Sequence, residues 1–193
     1  MQLNLTIDPP DLAAHRCLVL GIFSDEKPPR GLCGMIDWRL NGLIGREIRS
    51  QKILGSFREK VLIPHPGRVG AEILFLFGMG PVAQITYDRI YTAAYDVAMA
   101  VDKMRLGEFS FDLPGAGRTE LATAGIVEAM ITGIFDYMST DIQKLASMNA
   151  CVVTSEPFLK GVAQGIQQFH NHVRHLGSVD FSAAAERLAD KSW

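Results

Sequence analysis

The sequence predicts an α/β protein: a three-layer α/β/α domain on a mixed sheet of about six strands. Three observations carry that prediction. Apolar runs of strand length alternate with stretches of helical period along the 193 residues. One run, RCLVLGIF at 16–23, is apolar almost throughout, the pattern of a strand covered by helices on both faces. Two others, KVLIP (60–64) and AEILFLFG (71–78), are separated by HPGRVG, a Pro- and Gly-punctuated link of hairpin length, so this pair is antiparallel.

The elements follow in order. QLNLTI (2–7) alternates apolar and polar residues and is stopped by Asp8-Pro9-Pro10, which suits an edge strand. After the strand at 16–23 and the loop SDEKPPRG, residues 31–50 place Leu32, Met35, Ile36, Leu40, Leu43, Ile44 and Ile48 at helical spacing, weakened by Gly34, Gly42 and Gly45. Beyond the hairpin, 85–106 is amphipathic, with Ile90, Ala94, Val97, Ala98, Val101 and Met104 on one stripe. EFSFDL (108–113) is a strand. The helix at 119–138 is apolar nearly all round, so it packs on the sheet and on a second neighbour, with Gly125, Ala129 and Gly133 forming a row that admits close backbone approach. ACVVTS (150–155) is a buried strand, 156–176 a long helix, and Ser182 caps a short helix in the tail. Residues 1–178 form one domain and 179–193 a tail.

Composition sets outer bounds. With 48% hydrophobic and 21% charged residues and a formal net charge of −2, the chain is neither disordered nor fibrous. It shows no membrane-spanning run and no secretory pattern at its N-terminus, so a cytoplasmic location without membrane contact is expected. Cys17, Cys33 and Cys151 are far apart, as reduced core thiols are, with Cys33 read as core. From Arg39 to Arg68 there are seven basic side chains (Arg39, Arg46, Arg49, Lys52, Arg58, Lys60, Arg68) against Glu47 and Glu59, an excess of five. That segment offers weak nucleic-acid or nucleotide contact, though a solvated face is the plainer reading.

Candidate chemistry centres on LPGAGRTEL (113–121), a strand-to-helix corner where backbone N–H groups and a helix dipole favour anions. A dinucleotide fingerprint requires a third glycine where Glu120 stands, and a P-loop requires Gly-Lys-Ser/Thr, so neither motif is present. Gly115, Gly117 and Arg118, with Ser24 after the apolar strand, are the candidate ligand-binding residues; a plain connection is the competing reading. His170, His172 and His175 do not share one helix face, so no metal site is assigned. Ser24, Ser110 and Ser155 lack a nucleophile elbow, and the carboxylates show no tight pairing. No catalytic residue and no cofactor is assigned.

HRCLVLGIFSDEKPPRGLCGMID, KVLIPHPGRVGAEILFLFGMG, FSFDLPGAG, AGIVEAMITGIFDY and EPFLKGVAQGIQQFHNHVRHL together resemble, in sequence and order, the N-terminal domain of the leucyl aminopeptidase family over nearly the whole chain. The resemblance implies a macro-domain-like α/β/α fold. The family's catalytic domain carries motifs of the form N-T-D-A-E-G-R and a lysine followed by F-D-S-G-G, neither of which occurs in this sequence, while 179–193 resembles the connector into that domain. The expectation is a non-catalytic module for assembly or regulation, forming a homo-oligomer or joining an aminopeptidase-like protein. A nucleotide or ADP-ribose binder is the alternative, followed by an aminopeptidase that acts only with a separate catalytic chain. At the corresponding strand end, GIFSDEKPPRG lacks the asparagines common in ADP-ribose-binding macro domains, and LPGAGRTEL lacks an aromatic to pack a ribose.

Overall fold

A computed structural model describes residues 1–173. Six strands form one sheet in the order β1-β6-β5-β2-β4-β3. These are β1 (Gln2–Thr6), β2 (His15–Phe23), β3 (Lys60–Pro64), β4 (Ala71–Gly80), β5 (Glu108–Phe111) and β6 (Asn149–Val153). All neighbours are parallel except β3 and β4, so the sheet is mixed. β1 is an edge strand and β2 a central one, as their residue patterns predict.

Helices cover the sheet on two sides. On one face α3 (Tyr87–Lys103), α4 (Thr123–Met138) and α6 (described over Leu159–Val173) bury Cys17, Val19, Phe75, Phe77, Phe109, Phe111 and Val152. α4 touches the sheet and both helices, and its Phe135 meets Phe169 of α6 edge-on with ring centroids 5.5 Å apart. This two-sided burial explains why its sequence is apolar all round. On the other face α1 (Gly31–Arg39) and α2 (Leu43–Arg49) cover Leu18, Leu20, Ile22, Leu74, Leu76 and Val153. The thiol of Cys33 belongs to this second core.

Several elements differ from the sequence expectation. The helix predicted over 31–50 is broken at Asn41 and Gly42, whose φ angles are 54° and 73°. The left-handed pair turns the chain, and Asp37 secures the turn by accepting a hydrogen bond from Gly45 N at 3.1 Å. A short helix α5 (Ile142–Ser147) also stands before β6, capped by Asp141, which accepts from Gln143 N at 2.8 Å. The helix predicted over 85–106 begins at Tyr87 because Thr86 caps it, its hydroxyl accepting from Arg89 N. The predicted tail helix with its Ser182 cap, His175 and the segment 179–193 lie outside the described residues.

Among the described residues no helix is long and apolar enough to cross a membrane.

Candidate ligand cleft

The sheet order creates a crevice. From β2 the next sheet-forming connections lead toward β4 and β3, whereas from β5 the chain proceeds to β6, so β2 and β5 are adjacent strands whose continuations diverge. In open α/β sheets, ligands bind outside the carboxyl ends of strands at such a switch point. The end of β2 carries Phe23 and Ser24, and the loop after β5 carries Asp112 to Arg118.

Within that loop Gly115 and Gly117 adopt φ of 79° and 68°, a region that side chains disfavour. Gly117 has a second constraint, since a Cβ there would approach Phe158 Cζ to 2.7 Å. The turn is tight: Arg118 N and the Thr119 hydroxyl both donate to the Gly115 carbonyl, at 3.0 and 3.1 Å. The anion-binding geometry considered for this corner is modified in one respect. α4 starts only at Thr123, and Ala122 N just before it already donates to the Tyr87 hydroxyl at 3.0 Å.

Arg118 folds back across the crevice. Its guanidinium lies 5.3 Å from the centroid of the Phe23 ring and forms an ion pair with Glu26. The four residues singled out from sequence therefore divide. Arg118 lines a cleft of about 320 Å³, together with Asp112, Thr154 and Phe158. Gly115 and Gly117 shape the loop beside it, and Ser24 is engaged through its backbone, donating to the Gly80 carbonyl at 3.0 Å.

Three cleft residues had no signal as a group. Asp112 accepts from its neighbour Leu113 N at 2.7 Å, and burial pushes its carboxyl up to about 6, against the opposing effects of that hydrogen bond and of Arg118. Thr154 Oγ1 is shielded from solvent and has no hydrogen-bond partner among the described residues. Phe158 supplies an aromatic face beside Gly117, from a turn more than forty residues away in the chain.

The basic segment is partly neutralised. Arg39 pairs with Asp11, Lys52 with Glu47, and Arg58 makes a bidentate pair with Asp96. The thiols are held protonated by burial: Cys17 is pushed up to about 12, Cys151 to about 11 and Cys33 well above the ordinary range. Among the described residues, no three His, Cys, Asp or Glu side chains are placed to hold a metal ion.

Architecture and cleft together define the class, a macrodomain-like α/β fold. The Oceanobacillus iheyensis macrodomain with ADP superposes with a TM-score of 0.69 at 11% identity, over 88% of this chain and 92% of that one. The chain is also similar to the N-terminal region of leucine aminopeptidases. A curated relative, a probable cytosol aminopeptidase of Geobacter sp., is 26% identical over 93% of this chain and 39% of its own length. A tomato leucine aminopeptidase mutant matches with a TM-score of 0.61 at 14% identity, over 84% of this chain and 35% of that one. The chain thus spans about two-fifths of the curated relative it matches. No family model matches it.

Proposed function

We propose that the chain is a non-catalytic binding domain whose cleft accepts a nucleotide of the ADP or ADP-ribose type. The observation that supports this reading is the convergence, at the switch point, of a cation, a carboxylate, an orphaned hydroxyl and an aromatic ring: Arg118, Asp112, Thr154 and Phe158. Their chemistry assigns roles. Phe158 packs a ring, Asp112 accepts from a hydroxyl or amino group, and Thr154 gains the partner it lacks. Arg118 takes the diphosphate once Glu26 is displaced. The macrodomain that matches over most of this chain was solved with ADP.

Calorimetric titration with ADP-ribose and with adenosine tests the reading. Saturable heat that Phe158→Ala and Arg118→Ala each weaken supports it, and no heat with either ligand refutes it.

A second reading is an assembly module, favoured by the exposed apolar side chains of Trp38 (72% accessible) and Leu12 (69%), with Met35 less exposed than either. Self-association follows from that reading, and a strict monomer by light scattering at high concentration removes it. Aminopeptidase activity, as in the relative's name, is proposed only in company with a separate catalytic chain. A chromogenic leucine amide with manganese or zinc should show no turnover by this chain alone.

A further inference from the structure

A second concavity runs along the sheet from the amino ends of β2, β5 and β6 to Thr6 and Asp8 at the end of β1. In the parallel register, Asn4 pairs with Cys151 and Cys151 with Ser110, while Asn149 pairs with Glu108. Alternation along the strands puts these side chains, with Thr6, on the face of the sheet that carries Leu18 and Leu20 in β2. α1 and α2 cover that face over β2 and β4. Over β1, β6 and β5 it is bordered instead by Asp8, Ala13 and Ala14 of the β1–β2 connection, leaving a groove of about 340 Å³ that reaches His15 and Arg16.

The floor is polar. Asn4 Nδ2 donates to Asn149 Oδ1 at 2.6 Å. His15 is only 6% exposed, and its Nδ1 lies 2.8 Å from Ser110 Oγ. Its Nε2 is buried with no hydrogen-bond partner among the described residues. Burial lowers the imidazole pKa, partly opposed by the Pro10 backbone carbonyl, so the ring is neutral. The His15–Ser110 pair closes the floor of the groove at the start of β2.

The rim carries both signs of charge. Arg16 lies beside Glu108, and Asp8 stands on the far side at the end of β1; none of the three joins an ion pair among the described residues. One cation and two carboxylates around an amide-lined floor complement a small molecule that itself bears both charges. The volume lies near the lower end of known ligand sites, about 300–1,000 Å³.

We propose that this groove binds a zwitterion of amino-acid to dipeptide size. The ligand carboxylate pairs with Arg16 and its ammonium with Asp8, while its polar middle lies over the Asn4–Asn149 and His15–Ser110 pairs. The site shares no residue with the cleft, so the two readings stand or fall separately.

The probe is L-alanyl-L-alanine, followed by backbone amide NMR of the full chain. Its capped counterpart, N-acetyl-L-alanine amide, lacks both charges. The dipeptide should shift the Arg16, Ser110 and Asn149 resonances saturably at concentrations up to about 10 mM, the capped compound should not, and ADP-ribose should leave them in place. Arg16 and Asp8 are exposed, so Arg16→Ala and Asp8→Asn keep the fold, and each should weaken dipeptide binding about tenfold or more. No saturable shift with the dipeptide overturns the proposal. So do equal shifts with the capped compound, or undiminished binding by Arg16→Ala.

Discussion

The Arg118 guanidinium rests on the Phe23 ring, 5.3 Å from its centroid, and so ties the loop after β5 to the end of β2 across the switch point of the sheet. Glu26 completes the arrangement by pairing with the same guanidinium. Arg118, the one cation lining the cleft among the described residues, is therefore neutralised before any ligand arrives, and an anionic ligand has to compete with a carboxylate for it. Glu26→Gln removes the competitor and keeps the side chain's shape. In titrations with ADP-ribose this variant should bind about tenfold more tightly than the parent, and Arg118→Ala more weakly. Identical affinities for Glu26→Gln and the parent would show that Arg118 does not meet the phosphates.

Asp112 links the cleft to pH. Burial raises its folded-state pKa to about 6 from an ordinary 3.8, so the folded chain holds this proton more tightly than the unfolded chain does. Between those two values the folded state binds more protons, and stability falls as pH rises; above about pH 6 the full penalty of the buried carboxylate is present. Asp112→Asn keeps an acceptor for Leu113 N and removes the charge. It should be more stable than the parent at pH 8, by up to about 2–3 kcal/mol, with the difference shrinking toward pH 4. Thermal melts of the pair across this range measure it, and a pH-independent difference would show that the carboxyl is not titrating there.

Legibility in the sequence tracked how local the physical cause was. The β3–β4 hairpin, the buried run of β2 and the stripe of α3 were readable because burial pattern and turn residues lie within one segment. The break between α1 and α2 was not, since apolar spacing continues through Asn41 and Gly42 while only their backbone angles change. α5 was missed because six residues carry too little periodicity. Arg118 was identified from the corner it occupies, but Phe158 and Thr154 reach the cleft only through the parallel docking of β6 beside β5. His15 and Ser110, 95 residues apart, meet through the parallel pairing of β2 with β5. The likeness to the aminopeptidase N-terminal region was carried by the order of loose motifs, and the curated relative matches over 93% of this chain.

The three cysteines give a reactivity prediction. The thiolate is the attacking form, and burial raises all three pKa values, to about 11 for Cys151 and about 12 for Cys17, with Cys33 higher still. Cys151 is half-buried, whereas Cys17 and Cys33 are fully enclosed. With an aromatic disulfide reagent at pH 8, Cys151 should react first and slowly, and Cys17 and Cys33 only on unfolding. All three should titrate in concentrated guanidinium. Rapid labelling of Cys33 in the native chain would contradict its place in the core between β2 and α1.

The row Gly125, Ala129 and Gly133 sets the distance between α3 and α4. At Gly133 an added Cβ would fall inside contact distance of the Tyr91 carbonyl and 3.0 Å from Tyr95 N, both backbone atoms of α3. Backbone cannot rotate away as a side chain can, so the helices would have to separate. Separation would disturb the contacts that depend on the crossing, including the Tyr91 hydroxyl on Asp136 at 2.8 Å and the edge-on packing of Tyr95 against Tyr137 at 5.4 Å. Gly133→Ala gains helix propensity worth up to about 1 kcal/mol. The overpacking cost of about 1–3 kcal/mol, or more against rigid backbone, outweighs that gain. The variant should therefore melt several degrees below the parent, at about 2–4 °C per kcal/mol for a chain of this size. Gly107→Ala provides the comparison, because a Cβ there meets only the Ser147 carbonyl at 4.0 Å. An equal loss in both variants would mean that the close crossing of α3 and α4 is not what Gly133 serves.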